Sequence, residues 1–124
     1  MLTSLVIGNA SGLLNIGAGN NQLVSLSLTG LTSLVGLDFS NNPLTTVDLS
    51  QTPLLASLIG TNCNLTVLSV NTMLTDLAGF SVYGGDLDLS GQTPPAPPST
   101  GPPNGIAAIA ILQAPALGWG VVTD

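Results

Sequence analysis

The chain has 124 residues, enough for one domain, and its only charged side chains are six aspartates, which give a net charge of −6. Because lysine, arginine and histidine are absent, the protein cannot neutralise phosphates, which excludes nucleic acid and anionic membrane surfaces as partners. Apolar residues make up 44% of the chain, which excludes a disordered acidic tail.

The surface is expected to be poor in charge, since only 5% of the residues are charged. Designed soluble surfaces carry about 25–35% charged residues. Either Ser, Thr, Asn and Gly solvate this surface or neighbouring chains cover much of it, and we favour the second. No export signal is predicted at the amino terminus, and the longest apolar run, residues 106–112, is too short for a membrane helix of about 20 residues.

A period of 21 residues dominates the first half of the chain. Three successive copies carry apolar residues or Asn/Cys at seven equivalent positions, and only Gly60 departs from this pattern. Half a copy precedes them and a degraded copy with a shifted period follows. The positions are Leu13, Ile16, Ala18, Asn21, Leu23, Leu26 and Leu28; Leu34, Leu37, Phe39, Asn42, Leu44, Val47 and Leu49; Leu55, Leu58, Gly60, Cys63, Leu65, Leu68 and Val70; the half copy Leu2, Leu5 and Ile7; and the degraded copy Leu74, Leu77, Leu87 and Leu89.

The repeated pattern LxxLxLxx(N/C)xL resembles the leucine-rich repeat family. The resemblance implies that Asn21, Asn42 and Cys63 turn inward after each strand and hydrogen-bond to backbone carbonyls of the turn, so that stacked copies form a ladder. Cys63 is then structural rather than reactive, because no His or Lys is present to lower its pKa. As the only cysteine, it cannot form an internal disulfide.

The second half of each repeat, such as residues 44–50, is predicted to be extended because its apolar and polar residues alternate. Thr, Ser, Asn, Gly and Pro dominate the remainder, so no helix is expected within a repeat, and Val67, Ser69 and Asn71 are expected on an outward strand face. The predicted fold is therefore mostly β: a leucine-rich repeat solenoid of about four short coils with parallel β-ladders over residues 1–90.

Aspartates on the outward faces are the only candidates for chemistry. Asp86 and Asp88 would lie on one face of a strand about 6.5–7 Å apart, a spacing seen between glycosidase carboxylates. Asp48 is at the repeat position predicted to match Asp88 and would add a carboxylate to this face. The face would then be a candidate Ca²⁺ site, which needs about six oxygen ligands. We favour a solvated polar face. The usual catalytic bases, acids and anion clamps are missing, so we predict no enzyme activity, no cofactor and no metal.

Residues 91–104 contain six of the nine prolines and are predicted to connect the solenoid to a cap, because proline cannot continue a β-ladder. A PxxP ligand is disfavoured without a basic residue. Asn104 is expected to cap a helix over residues 105–114, which Pro115 ends.

The last segment, residues 105–124, resembles the C-terminal cap of short bacterial and phage leucine-rich repeat proteins, with a helix followed by a Gly-Trp-x-Val strand. Trp119 is expected to pack on the last coil. The family usually has a charged, polar helix at this place, whereas this one is apolar on nearly every face and must be covered.

An open first coil and this bare helix are expected to contact other chains, since uncovered apolar surface and strand edges favour association. The candidate interface residues are Leu2, Leu5, Ile7, Ile106, Ile109 and Trp119.

Two functions follow as hypotheses. The first is a non-enzymatic structural or decorating subunit of a large assembly, most concretely a phage virion protein of the capsid, tail or fibre, with protein partners or further copies of itself. The alternative is a cell-surface or secreted bacterial recognition module of leucine-rich repeats that binds protein or glycan. An export signal or anchor in the gene would favour the alternative.

Overall fold

The structure, a computed structural model, describes residues 1–124 and contains seven short strands and two helices. The strands are β1 (Ser4–Val6), β2 (Asn15–Gly17), β3 (Ser25–Ser27), β4 (Gly36–Asp38), β5 (Ser57–Ile59), β6 (Asp86–Asp88) and β7 (Gly120–Val122). The helices are α1 (Val67–Phe80) and α2 (Gly105–Gln113). The fold is thus mixed α/β rather than mostly β, while the parallel sheets that the sequence predicts are confirmed.

All strand pairings are parallel, and the first three join residues 21 positions apart. β1 pairs with β3 so that Leu5 lies beside Leu26. In the second sheet, whose order is β2-β4-β5-β6-β7, Ile16 lies beside Leu37, and Leu37 beside Leu58. The sequence period is therefore the chain length from one strand to its neighbour.

The two later pairings have longer offsets. Leu58 lies beside Leu87, 29 positions further on, and Leu87 beside Val121, 34 positions further on. The first gap contains α1, and the second contains the proline-rich segment and α2. The degraded fourth copy of the sequence pattern thus contains an insertion: Leu74 and Leu77 lie in α1, whereas Leu87 lies in β6. The prediction that no repeat contains a helix is wrong.

Helix α1 forms because its apolar residues recur at the spacing of one helix face. The Thr66 side chain caps it by accepting a hydrogen bond from the Ser69 amide at 3.1 Å, and Ser81 ends it in a left-handed conformation. Ser69 and Asn71 are consequently buried, so their predicted place on an outward strand face is wrong. The fully buried face of α1 consists of Val70, Met73, Leu74 and Leu77.

In the turns that follow the strands of the larger sheet, inward side chains form hydrogen bonds with buried backbone carbonyls. The Asn42 amide nitrogen donates to the carbonyls of Ala18, Phe39 and Ser40 at 2.9–3.1 Å. Its side-chain oxygen accepts from the Leu23 amide at 2.9 Å. One side chain therefore joins two successive turns through four hydrogen bonds.

The other members of this ladder differ in how many bonds they make. Asn21 accepts from the Leu2 amide at 3.1 Å and donates to two carbonyls of its own turn. The Cys63 thiol lies 3.5 Å from the carbonyl oxygens of Phe39 and Thr61. The thiol is a weak donor, so this rung is weaker than the one at Asn42.

Gln92 is a fourth member of the ladder that the sequence pattern did not reveal. Its amide nitrogen donates to the carbonyls of Gly60 and Leu89 at 2.8 Å, and its side-chain oxygen accepts from the Leu65 amide at 3.0 Å. Gln92 follows the inward Leu87 by five residues, as Asn42 follows its own strand leucine. The 29-residue offset hides this equivalence in the sequence.

Large and small side chains alternate in the core just beyond the strands. Phe39 is fully buried, and a Cβ atom added to Gly60 would clash with its ring and approach Leu89 Cδ2 to 2.9 Å. Ala18 lies on the other side of Phe39 in the stack. Gly60 departs from the repeat pattern because the phenyl ring of the preceding copy fills its place.

The carboxyl-terminal segments pack into the same core as the repeats. Asn104 caps α2 by accepting from the Ala107 amide at 2.9 Å, and α2 begins at the predicted residue and ends one residue early. The Asp124 carboxylate accepts from the amides of Gly91, Gln92 and Ala96, which holds the start of the proline-rich segment against the end of β7.

Trp119 packs against Gly85, where an added Cβ would clash with the indole ring, and its indole N–H donates to the Val82 carbonyl at 2.7 Å. Trp119 is only 4% exposed, so the prediction that it contacts a partner is wrong.

We predict that Leu58→Ala destabilises the protein by about 2–5 kcal/mol, because it leaves a cavity in the fully buried row of strand leucines. Chemical denaturation monitored by circular dichroism measures the change. Leu54→Ala, at a leucine that is 52% exposed, is the control and should change stability by less than about 0.5 kcal/mol. Equal losses in the two variants would contradict the inward placement of Leu58.

We predict opposite effects for alanine at two glycines. Gly60→Ala should cost about 1–3 kcal/mol through overpacking against Phe39. Gly79→Ala, in α1 with open space around the new methyl group, should stabilise by about 0.4–1 kcal/mol. The same denaturation measurement compares them, and a stabilising Gly60→Ala would show that the Phe39 ring does not fill this site.

Candidate functional site

The outward face of the five-stranded sheet carries three of the six aspartates: Asp38, Asp86 and Asp88. A shallow depression of about 600 Å³ crosses β5, β6 and β7. Two rows of residues face outward along the sheet: Asn15, Gly36, Ser57, Asp86 and Gly120, and Gly17, Asp38, Ile59, Asp88 and Val122.

Two carboxylates on this face are engaged by neighbouring serines. Asp38 accepts from the amide and hydroxyl of Ser40 at 2.9 and 2.6 Å. Asp88 accepts from the amide and hydroxyl of Ser90 at 3.0 and 2.6 Å. These pairs are copies of an Asp-x-Ser tripeptide, which also occurs at residues 48–50 and which the sequence analysis overlooked. At residues 38–40 and 88–90 the tripeptide shapes the chain where it leaves a strand.

Asp48 does not lie on the face that carries Asp86 and Asp88, so that prediction is wrong. Asp88 is in register with Ile59, and Ile59 with Asp38, which makes Asp38 the equivalent of Asp88. Asp48 instead lies in the next segment of the chain, near the start of α1. No three His, Cys, Asp or Glu side chains are grouped so that they could hold a metal ion.

The Cys63 thiol is buried, and this burial together with the negative charge of Asp38 raises its pKa. Hydrogen bonds from the backbone of the preceding turn oppose the increase. A raised pKa keeps the thiol protonated, which suits a structural donor to carbonyl groups.

Helix α2 presents an apolar exposed surface. Ile106 and Ile111 are 51% and 52% exposed, and the exposed Ala107 and Ala110 lie between them. The helix contains no charged residue. Ile109, which was also predicted to contact a partner, packs partly against the core.

The predicted contact residues at the amino-terminal end have different environments. Leu2 is half exposed, whereas Leu5 and Ile7 are partly buried against the core. β1 and β2 lie at the edges of their sheets. Neither helix of the protein has the length and apolar character needed to cross a bilayer.

Asp76 on α1 carries a perturbed carboxylate. Burial, and secondly the negative charge of Asp48, raise its pKa above the ordinary value of 3.8. Both causes disfavour the charged form. An acid whose pKa is higher in the folded state contributes most to stability below its unfolded value, and this contribution is lost as the pH rises through the folded value.

We therefore predict that Asp76→Asn raises the melting temperature at pH 7 and that this gain disappears below about pH 3.8. Thermal melts between pH 3 and pH 8 measure the effect. Asp86→Asn is the matched control, because it removes one carboxylate from an exposed site on β6. The same gain in both variants would assign the effect to net charge and contradict a specific cost at Asp76.

No protein-family model matches the chain, and no curated protein or solved structure shows significant similarity to it.

Proposed function

We propose that the chain is a non-enzymatic structural subunit, built as a short leucine-rich repeat solenoid, that assembles with further copies through the bare face of α2. The 21-residue offset between parallel strands and the ladder of inward side-chain amides support the solenoid part of this proposal. The α2 face, apolar and free of charge, is the observation on which the assembly part depends.

The chemistry of the α2 face favours another helix as its occupant. Ile106, Ala107, Ala110 and Ile111 lie on one side of the helix, since residues four apart stack along it. Small alanines allow two helix backbones to approach closely, and the isoleucines on either side fill the space beside them. An identical face on a second copy has this same arrangement and can pair with it about a two-fold axis.

Charge restricts where two copies can meet. All six ionised side chains are aspartates, so most pairings between identical faces would oppose like charges. None of the six lies on α2. Association through α2 therefore buries no carboxylate of that helix, and the remaining long-range repulsion is screened by salt.

A phage virion is the setting that we favour for such an assembly, as a capsid decoration or a tail or fibre component. The low charge of the chain is the supporting property, because a surface in permanent contact with neighbours does not need charge for solubility. The alternative, a bacterial surface or secreted module that binds protein or glycan, would use the outward sheet face.

We predict that the purified chain forms dimers or larger oligomers and that Ile111→Asp makes it monomeric. Light scattering after size exclusion measures the mass. Association should increase between about 0.05 M and about 0.5 M NaCl, because salt screens the repulsion between acidic copies.

Leu54→Asp is the control, since Leu54 has the same exposed fraction as Ile111 but lies away from α2. It should leave the oligomer intact. A chain that remains monomeric at high concentration, or an Ile111→Asp variant that assembles like the unmodified chain, would refute assembly through α2.

A further inference from the structure

Both edges of the five-stranded sheet are open. β2 and β7 stand at the two ends of its strand order, so each of them has a strand partner on one side only. Proteins usually protect such edges with charged residues, prolines or bulges. Neither Asn15–Gly17 nor Gly120–Val122 contains a charged residue or a proline. The sheet therefore offers two unprotected edges to an added strand.

The backbone groups at the β2 edge have a defined direction. The Ala18 amide donates to the Asp38 carbonyl at 2.8 Å, so the even-numbered residues of this segment pair with β4. Successive residues of a strand direct their N–H and C=O groups to opposite sides, so Asn15 and Gly17 direct theirs to the open edge.

The β7 edge is complementary to the β2 edge. The Leu89 amide donates to the Val122 carbonyl at 2.9 Å, so Val122 pairs with β6, and Val121 and Thr123 direct their backbone groups to the open side. The two edges of one parallel sheet have the spacing and direction that two of its paired strands have. A second copy can therefore extend the sheet without changing its hydrogen-bond pattern.

The side-chain ladder favours a parallel strand beside β2. Three ladder residues each contact a carbonyl of the residue that directly follows the preceding strand: Asn42 contacts Ala18, Cys63 contacts Phe39 and Gln92 contacts Gly60. The Asn21 amide nitrogen donates only to carbonyls of its own turn, because no strand precedes β2 in the sheet. Thr123 directly follows β7, so its carbonyl would take the missing place if β7 of another copy lay beside β2.

The inward row of apolar side chains is also less buried at its two ends. Leu37, Leu58 and Leu87 are at most 2% exposed, whereas Ile16 is 8% exposed and Val121 is only partly buried. Placing β7 beside β2 brings Val121 next to Ile16 and continues the row. Burial of these side chains would then add to the backbone hydrogen bonds.

The aspartates do not oppose this contact. Asp88 of one copy and Asp38 of the next would be three strand spacings apart, about 14 Å, which exceeds the Debye length of about 8 Å at physiological salt. Within one chain these two residues are only two spacings apart, about 10 Å. Asp124 follows β7, but its carboxylate already accepts from three amides of its own chain.

We propose that copies of the chain join head to tail, with β7 of one copy added as a parallel strand beside β2 of the next. The joint places Gly120 beside Asn15 and Val122 beside Gly17, and the Gly17 amide donates to the Val121 carbonyl. Because the two edges differ, each copy keeps one free edge for a further copy, and the assembly grows as an open series. The joint is formed by β2 and β7, so it is separate from the assembly proposed through α2.

A single joint is expected to be weak. A contact one strand wide is smaller than the roughly 1,200 Å² of a stable interface. We expect a dissociation constant in the millimolar range, so Ile111→Asp is monomeric in dilute solution and joins only when it is concentrated. Copies that are already paired through α2 would join more readily, because pairing raises their effective concentration.

Amide NMR of the Ile111→Asp chain between about 0.05 and about 5 mM tests the joint apart from pairing through α2. The amides of Gly17, Val121 and Thr123 should shift progressively as the concentration rises, whereas that of Leu58, at the centre of the sheet, should not. Absence of shifts at both edges, or shifts confined to α2, would overturn the proposal.

Two proline variants in the Ile111→Asp background test the head-to-tail arrangement. Gly17→Pro removes an outward amide of β2, at a position where an added Cβ meets nothing within 4 Å, and Thr123→Pro removes one that follows β7. Each variant alone should lose the shifts. A mixture of the two should regain them, because each retains the edge that the other lacks. Shifts that persist in either variant alone, or a mixture that does not associate, would refute the head-to-tail joint.

Gly17→Ala and Thr123→Ala are the matched controls, since they keep the backbone amides, and both should associate like the parent chain. Loss of the shifts in these alanine variants would refute pairing through the backbone. The proline variants should keep the melting temperature of the parent, because proline is tolerated where an edge N–H has no partner. The concentration series of the parent decides the proposal even if a proline variant does not fold.

Discussion

The turns that follow β2, β4, β5 and β6 bury backbone carbonyls, and a buried carbonyl without a donor costs about 1–3 kcal/mol. A single inward side chain meets this requirement in each turn, and at Asn42 and Gln92 it also binds the backbone of an adjacent segment. Because the side chain is bonded to both segments, it fixes the distance and the register between neighbouring segments of the chain. The parallel strands, the row of inward leucines and the placement of both helices all depend on that register.

The sequence revealed the register wherever the chain between strands had constant length. Leu37 and Leu58 could be aligned by counting, and their strands pair as expected. Gln92 could not be found in this way, because α1 lengthens the connection before it. Gln92 has the same side-chain amide as the asparagines of the ladder. Because it does not lie 21 residues after Cys63, the sequence pattern does not distinguish it from other polar residues.

The helical insertion was missed because two periodicities overlap in one stretch. Leu65, Leu68 and Val70 continue the repeat pattern, whereas Val70, Leu74 and Leu77 follow the spacing of a helix. In the structure this stretch is helical, with Thr66 as its cap and one face buried. Ser69 and Asn71 were therefore predicted on an outward strand face, although the helix buries both of them.

Side-chain size alternates along one row of the core, which contains Ala18, Phe39, Gly60 and Leu89. This alternation limits how the chain can be lengthened. Each bulky side chain occupies room that a small one in the adjacent copy leaves free. Duplicating one unit would set two bulky or two small residues against each other, producing a clash or a void. Lengthening by recombination, natural or engineered, should thus succeed in steps of 42 residues rather than 21.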